Sequence, residues 1–223
     1  MPLTVTFLGH SAVLLDSGDT RLVIDPFLTG NPNAPFGQDK LHVHAVALTH
    51  GHSDHFGDTI DIARRCDATV YASWEICEFC GEHGLTRLEP GNAGGRINAP
   101  WGWVAFTQAF HSSSYQGRYM GQPMGVVVHL GGVTVYHCGD TGLFTDMKLL
   151  GEIYRPALAC IPIGDRFTMG PELASRAAEL IGAPKALPVH YNTFPPIQQD
   201  TAAFKPQGVH VHALKPGASI VLD

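Results

Sequence analysis

The segment from His50 to His55 carries four side chains that can bind a metal ion within six residues. Its sequence is His-Gly-His-Ser-Asp-His, and it follows a short apolar run at residues 45–48. Imidazole nitrogens and carboxylate oxygens are ligands that zinc and similar divalent ions take in proteins. Side chains two residues apart in an extended loop point to the same side, so His50 and His52 can face one ion. Asp54 and His55 lie where the chain turns into a helix and can face a second ion.

Two ions need further ligands, and three candidates share one feature: each is a His or an Asp that follows an apolar strand. They are His111, Asp140 and His190. Binding sites in α/β sheets form where strands end, so these positions can converge with the first segment. Any one of these histidines could instead be a structural residue, but four ligands in six residues are rarer by chance. Gly51 lets the loop bend and lets a backbone come close.

A second set of side chains could support the ligands or contact a substrate. His10 follows a strand and Gly9; it could reach the substrate or a metal-bound oxygen, and a simple turn histidine is an equally good interpretation. Asp25 ends a strand and could accept a hydrogen bond that orients a ligand histidine. Asp165 could act in the same way. Three more residues could donate hydrogen bonds in the pocket: Thr168, Tyr191 and Asn192.

The elements that must position these residues follow from alternation and turn signals. Strands are predicted at residues 3–8, 12–15, 21–24, 45–48, 69–71, 104–107, 124–130, 133–137, 157–162 and 185–189, with short closing strands near 209–211 and 219–221. Helices are predicted at 58–65, 74–83, about 145–154 and 171–181. Each half begins with a β meander and then alternates strand and helix. We therefore predict an α/β fold of the four-layer αββα type, with two mixed sheets between helices, as a single domain over residues 1–223.

Composition limits the function classes. Hydrophobic residues make up 44% of the 223 residues, the formal net charge is -6, and there are 13 histidines. An acidic surface repels phosphate backbones, so an extended nucleic-acid partner is not expected. We see no signal peptide or membrane span, and the five cysteines are an odd number, so a cytoplasmic protein with reduced thiols is expected. Cys77 and Cys80 have no second pair, which argues against a zinc ribbon.

The ligand pattern His-x-His-x-Asp-His, followed by a distant His, Asp and His, resembles that of the metallo-β-lactamase superfamily. Further motifs resemble a family of small bacterial and archaeal metal-dependent hydrolases near the ascorbate-6-phosphate lactonase-like branch. They span nearly the whole chain: residues 7–11 (FLGHS), 25–32 (DPFLTGNP), 109–114 (AFHSSS), 139–144 (GDTGLF), 162–165 (PIGD) and 190–196 (HYNTFPP).

The resemblance implies an αββα sandwich with the site at one edge of the two sheets. It also implies the metal ligands: His50, His52 and His111 for one ion; Asp54, His55 and His190 for the second; and Asp140 as a bridge. All seven positions match. Ser53 stands where many relatives have Gly, but it is not a ligand position.

These observations predict a binuclear metal-dependent hydrolase with a small-molecule substrate. Water held between two divalent ions is a hydroxide near neutral pH, since zinc alone lowers the pKa of bound water to about 7. We expect the bound metal to be zinc, with manganese, iron or nickel as alternatives. We also expect catalytic roles for Asp54, Asp140 and His10. A small ester, lactone or phosphodiester is the first expected substrate. Three alternatives stay open: a nuclease or phosphodiesterase on short nucleic acid, a di-iron redox protein, and a metal-binding protein without catalysis. Assembly into a homo-oligomer is also open.

Overall fold

Two seven-stranded mixed β-sheets form the centre of the computed structural model, which describes residues 2–223. The first half of the chain contributes strands β1 (Leu3–Phe7), β2 (Val13–Asp16), β3 (Arg21–Ile24), β4 (Ala45–Ala47), β5 (Thr69–Ser73) and β6 (Leu88–Gly91). Its helices are α1 (Ser53–Phe56), α2 (Thr59–Cys66) and α3 (Trp74–Glu82).

The second half contributes the remaining strands and two helices. The strands are β7 (Arg96–Ala99), β8 (Gly102–Gln108), β9 (Ser114–Tyr115), β10 (Arg118–Tyr119), β11 (Met124–Leu130), β12 (Val133–His137), β13 (Leu158–Pro162), β14 (Lys185–Val189), β15 (His210–Val211) and β16 (Ser219–Leu222). The helices are α4 (Met147–Tyr154) and α5 (Pro171–Ile181), and short 3-10 helices cover Gln38–Lys40, Pro195–Ile197 and Thr201–Ala203.

Both sheets combine an antiparallel meander with parallel strands. The first has the order β16-β1-β2-β3-β4-β5-β6, antiparallel from β16 to β3 and parallel from β3 to β6. The second has the order β15-β14-β13-β12-β11-β8-β7, antiparallel from β7 to β12 and parallel from β12 to β15. Strands β1, β3 and β4 therefore run in one direction, as do β8, β12 and β14, so within each sheet the carboxyl ends of these strands lie on one edge.

Alternating burial builds the layers. In β1, Leu3, Val5 and Phe7 are buried between the sheets, while the intervening threonines are partly exposed. The outer face of the first sheet packs against α2 and α3, and that of the second against α4 and α5. The predicted αββα sandwich is thus confirmed.

Helix α5 matches its predicted bounds, and two edge strands were not predicted. Pro171 occupies the first turn of α5, and Gly182 ends it with φ +68°, as the sequence indicated. Strands β6 and β7 lie at sheet edges, and they include Pro90, Gly91 and Asn98, residues that disfavour strands elsewhere.

Among the described residues, we find no helix with the length and apolar character needed to cross a membrane.

Candidate metal centre

The His50–His55 segment follows β4, and a single turn of helix reverses its direction. The carbonyl oxygen of His52 accepts hydrogen bonds from the amides of His55 and Phe56, which closes α1. His50 and His52 face each other, with Nε2 of the first 3.0 Å from Nδ1 of the second. Asp54 and His55 project from the helical turn, as predicted for this segment.

Gly51 is required because the β9–β10 hairpin packs directly on it. A Cβ atom at this position would lie 2.3 Å from Cβ of Met120. The amide of Gly51 donates to Oγ of Ser113, at 3.1 Å, just before the hairpin. The close approach expected at Gly51 is real, although a side chain makes it rather than a backbone.

The structure brings His50, His52 and His111 together. One ligand atom from each lies within 4.8 Å of the others. His111 follows β8 after two intervening residues, and its loop is tied to the next one because the amide of Phe110 donates to Oγ1 of Thr141 at 2.9 Å. These are the three residues predicted to hold one ion.

A second group contains Asp54, His55 and His190, together with His10. Their ligand atoms also lie within 4.8 Å of one another. His190 directly follows β14 with φ +56°, and its amide donates to the carbonyl of His10, whose own φ is +55°. This bond joins the loop after β1 to the loop after β14, so it connects the two sheets at the site.

Asp140 lies between the two groups. Its Oδ2 atom is 3.0 Å from Nε2 of His190, 3.4 Å from Nε2 of His55 and 3.5 Å from Nε2 of His111. It follows β12 after two residues, and His137, the last residue of that strand, fixes the loop. Nδ1 of His137 accepts from the amide of Gly139, so its Nε2–H donates to the carbonyl of Ser11.

Asp25 is a fully buried acceptor for the groups behind the ligands. Its Oδ2 accepts from Nδ1 of His55 at 2.7 Å and from Oγ1 of Thr49 at 2.6 Å. Its Oδ1 accepts from the amide of Thr49. Oγ1 of Thr49 then accepts from Nδ1 of His50 at 3.0 Å. Both histidines thereby have a protonated Nδ1, which leaves Nε2 as the atom that can bind a cation.

The electrostatics of these protein groups mostly favour the protonation states that a cation needs. Burial lowers the pKa of His50 well below its ordinary value, and burial also lowers the pKa of His111. Burial raises the pKa of Asp140, but the neighbouring His190 and His55 outweigh it and hold that pKa well below the usual range. His55 differs: against the effect of burial, Asp140 and Asp25 raise its pKa well above the ordinary value, so its Nε2 must lose a proton before it binds a metal.

Unpaired buried atoms show that a cation fits this cluster. Nε2 of His55 and Oδ1 of Asp140 are buried and have no hydrogen-bond partner among the described residues. Such groups are costly unless something else satisfies them. A donor set of imidazoles and carboxylates suits a divalent ion of the zinc type.

The other predicted residues differ in their placement. His10 is 1% exposed and does not line the cavity beside the cluster; its Nε2 lies 3.1 Å from Oδ2 of Asp54 and its Nδ1 2.8 Å from Oγ1 of Thr193. Asp165 is exposed and makes no side-chain hydrogen bond to a histidine among the described residues. The hydroxyl of Thr168 donates to the carbonyl of Met169, at 3.4 Å, and makes no other hydrogen bond among the described residues.

Tyr191 and Asn192 follow His190 but do not line the cavity. Tyr191 packs against the outer apolar cluster of the second sheet, and burial raises the pKa of its hydroxyl. The Asn192 side chain bonds the backbone of Gln199 in both directions, at 2.7 and 3.0 Å. Asn192 therefore holds the loop between these residues in shape.

A cavity of about 300 Å³ opens beside the cluster, and its apolar wall was not predicted. Its ligand side is formed by His52, Asp54, His111, Asp140 and His190, with Ser112 beside them; the remaining lining residues are Phe167, Phe194, Pro196 and Ile197. The available sequence signal was an aromatic residue next to two prolines, shortly after a candidate ligand.

The family model described as Beta-lactamase superfamily domain matches residues 20–191, a range that contains all seven predicted metal ligands. Together with two mixed sheets flanked by helices and a His/Asp cluster at their edge, this match identifies the protein as a member of the beta-lactamase superfamily.

Similar proteins narrow the class further. A UPF0173 metal-dependent hydrolase of Thermus thermophilus is 50% identical and covers 98% of this chain and 99% of that protein. Another, from Shouchella clausii, is 44% identical over 99% of this chain and 97% of that protein. Igni18, described as a novel metallo hydrolase from Ignicoccus hospitalis, is 34% identical with a TM-score of 0.91 and covers 100% of this chain and 99% of its own. The chain belongs to the UPF0173 metal-dependent hydrolases of the beta-lactamase superfamily. The lactonase-like branch stays a prediction.

Proposed function

We propose that this protein is a hydrolase with two divalent metal ions that cleaves a small ester, lactone or phosphodiester. The observation that carries the proposal is the convergence of seven His and Asp side chains from four distant segments, two of whose buried atoms have no partner. Membership of a family of metal-dependent hydrolases supports the same conclusion.

The ligand groups of the cluster support one division of the residues between two ions. His50, His52 and His111 would hold one ion, Asp54, His55 and His190 would hold the other, and Asp140 would lie between them. Zinc is the first expectation for such ligands, although iron, manganese and nickel suit them too. When bound, the ions supply Lewis acidity and a nucleophilic hydroxide at neutral pH.

The remaining residues of the chain position the ligands and the substrate. Asp25 keeps Nε2 of His55 directed at the cluster, and through Thr49 it does the same for His50. His10 holds Asp54 by a hydrogen bond, and Thr193 holds His10. Because His10 is buried away from the cavity, we assign it a positioning role toward Asp54. The lining residues Phe167 and Phe194 exclude water from one side of the reacting group.

A metal and substrate screen tests this function. The protein is stripped of metal, reloaded with zinc, manganese, nickel or iron, and assayed with chromogenic esters, lactones and phosphodiesters. We expect hydrolysis with at least one metal and two equivalents of that metal per chain by elemental analysis.

His52→Ala and Asp140→Ala should each abolish turnover, and His52→Ala should retain about one metal equivalent. His42→Ala is the matched control, because His42 is exposed and makes no hydrogen bond among the described residues. Full turnover in both ligand variants would contradict the proposal. So would oxygen consumption with a reductant in place of hydrolysis.

A further inference from the structure

Apart from the metal ligands and Ser112, the residues that line the cavity form an apolar wall. Phe194 is 37% exposed and Phe167 is 55% exposed, and both line the cavity together with Pro196 and Ile197. Large apolar side chains that are this exposed inside a cavity are available to contact a ligand. The ligand side of the cavity is polar, so the cavity has one reactive face and one apolar face.

Both loops that form this wall are held in place. The ring of Phe194 lies 5.7 Å from the buried ring of His10 and 6.4 Å from that of Phe27. The amide of Ile197 donates to the carbonyl of Phe194, and the amide of Asn192 donates to the carbonyl of Ile197. In the other loop, the amide of Asp165 donates to Met169 and that of Thr168 donates back to Asp165. The apolar surface is therefore preformed, which lowers the cost of binding.

No lysine or arginine of the described chain lines this cavity. Arg118 is paired with Glu78 and Glu82 on α3, and Lys148 lies 3.9 Å from Glu152 on α4. Arg166 lies beside Phe167, with its guanidinium 5.5 Å from the ring centre, and is not a lining residue. A phosphate or carboxylate on the body of a substrate would therefore find no cationic group among the side chains that line the apolar wall.

The metal ions would not supply the missing cationic partner for a charged group on the substrate body. Two divalent ions would bring four positive charges, and the carboxylates of Asp54, Asp140 and, behind His55, Asp25 would offset three of them. One positive charge would remain for the negative oxygen that develops during hydrolysis. A second negative charge further along the substrate would instead meet phenylalanine, proline and isoleucine, where burying an unpaired charge is costly.

We infer that the substrate is an uncharged carboxylic ester or lactone with an apolar acyl body, and that Phe167 and Phe194 determine this preference. The inference rests on the proposed hydrolase function. In the reaction, the oxygen of water bonds to the carbonyl carbon and the bond from that carbon to the alkoxy oxygen breaks. The products are a carboxylate, an alcohol and one proton. A substrate with a further phosphate or carboxylate on its body lies outside this class.

The test compares two esters that differ in one terminal group. The metal-loaded protein is assayed with 4-nitrophenyl hexanoate and 4-nitrophenyl monoadipate, which share four methylenes and end in a methyl or a carboxylate. We expect kcat/KM to be at least about tenfold higher for the hexanoate after correction for background hydrolysis. From acetate to hexanoate, each methylene should raise kcat/KM by about threefold to fourfold until the cavity is filled.

Variants of the wall test the role of the two rings. Phe194→Ala and Phe167→Ala should each flatten the chain-length dependence, and Phe194→Leu should largely restore it. Phe167→Lys should shift the preference at least about tenfold toward the monoadipate. Trp74→Ala is the control, because Trp74 is an equally exposed aromatic residue on α3 that lies outside this cavity.

Binding gives a readout that is independent of turnover. By saturation-transfer NMR, hexanamide should bind the wild-type protein more tightly than the anion adipamate, and Phe194→Ala should remove the difference. A preference for the monoadipate, or a chain-length dependence that neither alanine variant changes, would overturn the inference and leave the hydrolase function standing. If no ester, lactone or phosphodiester is turned over with any metal, the proposed function fails first.

Discussion

Asp25 and His55 form a fully buried pair in which Oδ2 of the aspartate lies 2.7 Å from Nδ1 of the histidine. The same carboxylate oxygen accepts the hydroxyl of Thr49, which in turn accepts Nδ1–H of His50. One aspartate that is not itself a predicted ligand thus orients a histidine in each of the two ligand groups. Replacement of such a partner of a ligand histidine typically weakens metal binding by about ten- to a hundredfold.

Asp25→Asn should therefore weaken the binding of both ions by about ten- to a hundredfold, since an amide cannot replace the charged acceptor for His55. The asparagine suits the backbone here, because Asp25 has φ +48° and Asn tolerates this region. Competition with a chelator measures the affinities.

The matched control is Asp58→Asn. Asp58 is also buried, but it accepts from the amides of Leu28 and Thr29 and does not contact the cluster. This variant should lose stability and keep its metal affinity. Equal metal loss in both variants would argue against a specific role for Asp25.

Thr49→Val should weaken the binding of one ion and leave the binding of the other unchanged. The variant removes the hydroxyl between Asp25 and His50 but leaves the Asp25–His55 pair in place. We expect about tenfold weaker binding of the ion held by His50, His52 and His111, with little change for the other. Isothermal titration calorimetry of the metal-free protein would resolve two steps, and an equal change in both would contradict the assignment.

Removal of metal should lower the melting temperature. A ligand present at a hundred times its dissociation constant stabilises the native state by about 2.7 kcal/mol, and for a protein of this size each kcal/mol corresponds to about 2–4 °C. Because chelation removes two ions, we expect Tm to fall by about 10–20 °C if each ion is present at a hundred times its dissociation constant. Re-addition of metal should restore Tm, as measured by differential scanning calorimetry. An unchanged Tm after metal loss confirmed by elemental analysis would count against a site at these residues.

His137→Phe should cost stability without removing a ligand. His137 is fully buried and connects the carbonyl of Ser11 to the amide of Gly139. The variant leaves both backbone groups unpaired, at a cost of about 1–3 kcal/mol for each. Urea unfolding measures the change, and elemental analysis should still find two metal equivalents. A free energy of unfolding within about 0.5 kcal/mol of the wild type would refute this structural role.

Gly51→Ala should disturb the loop of His50 and His52. The new methyl group would lie 2.3 Å from Cβ of Met120, so the loop or the hairpin must move, at a cost of about 1–3 kcal/mol. Loss of stability and of metal at this ligand group should appear together. Gly142→Ala is the control, since a Cβ there meets no atom within 4 Å, and it should be close to neutral.

Much of the cluster could be predicted from residue types and from their positions after strands. The segment from residue 50 to residue 55 concentrates ligands in one turn, and His190 directly follows a strand, so the residue types and the strand pattern indicated a site. The αββα layers likewise follow from strand and helix periodicity, because burial on one face leaves a regular pattern in the sequence. Strands β6 and β7 left no such pattern, since they lie at sheet edges and are mostly exposed.

The tertiary structure alone decided which ordinary residues serve the site. The sequence left His10 open between a contact with the substrate or a metal-bound oxygen and a simple turn histidine, and in the structure it lies buried against Asp54 and Thr193. Asn192 bonds the loop backbone instead of facing the cavity. Phe167 and Phe194 became cavity walls only because the loops after β13 and β14 lie side by side. A metal ligand can be recognised by its donor atom, which the residue type fixes. An apolar wall depends on which chain-distant surfaces meet, and packing fixes that only when the whole chain has folded.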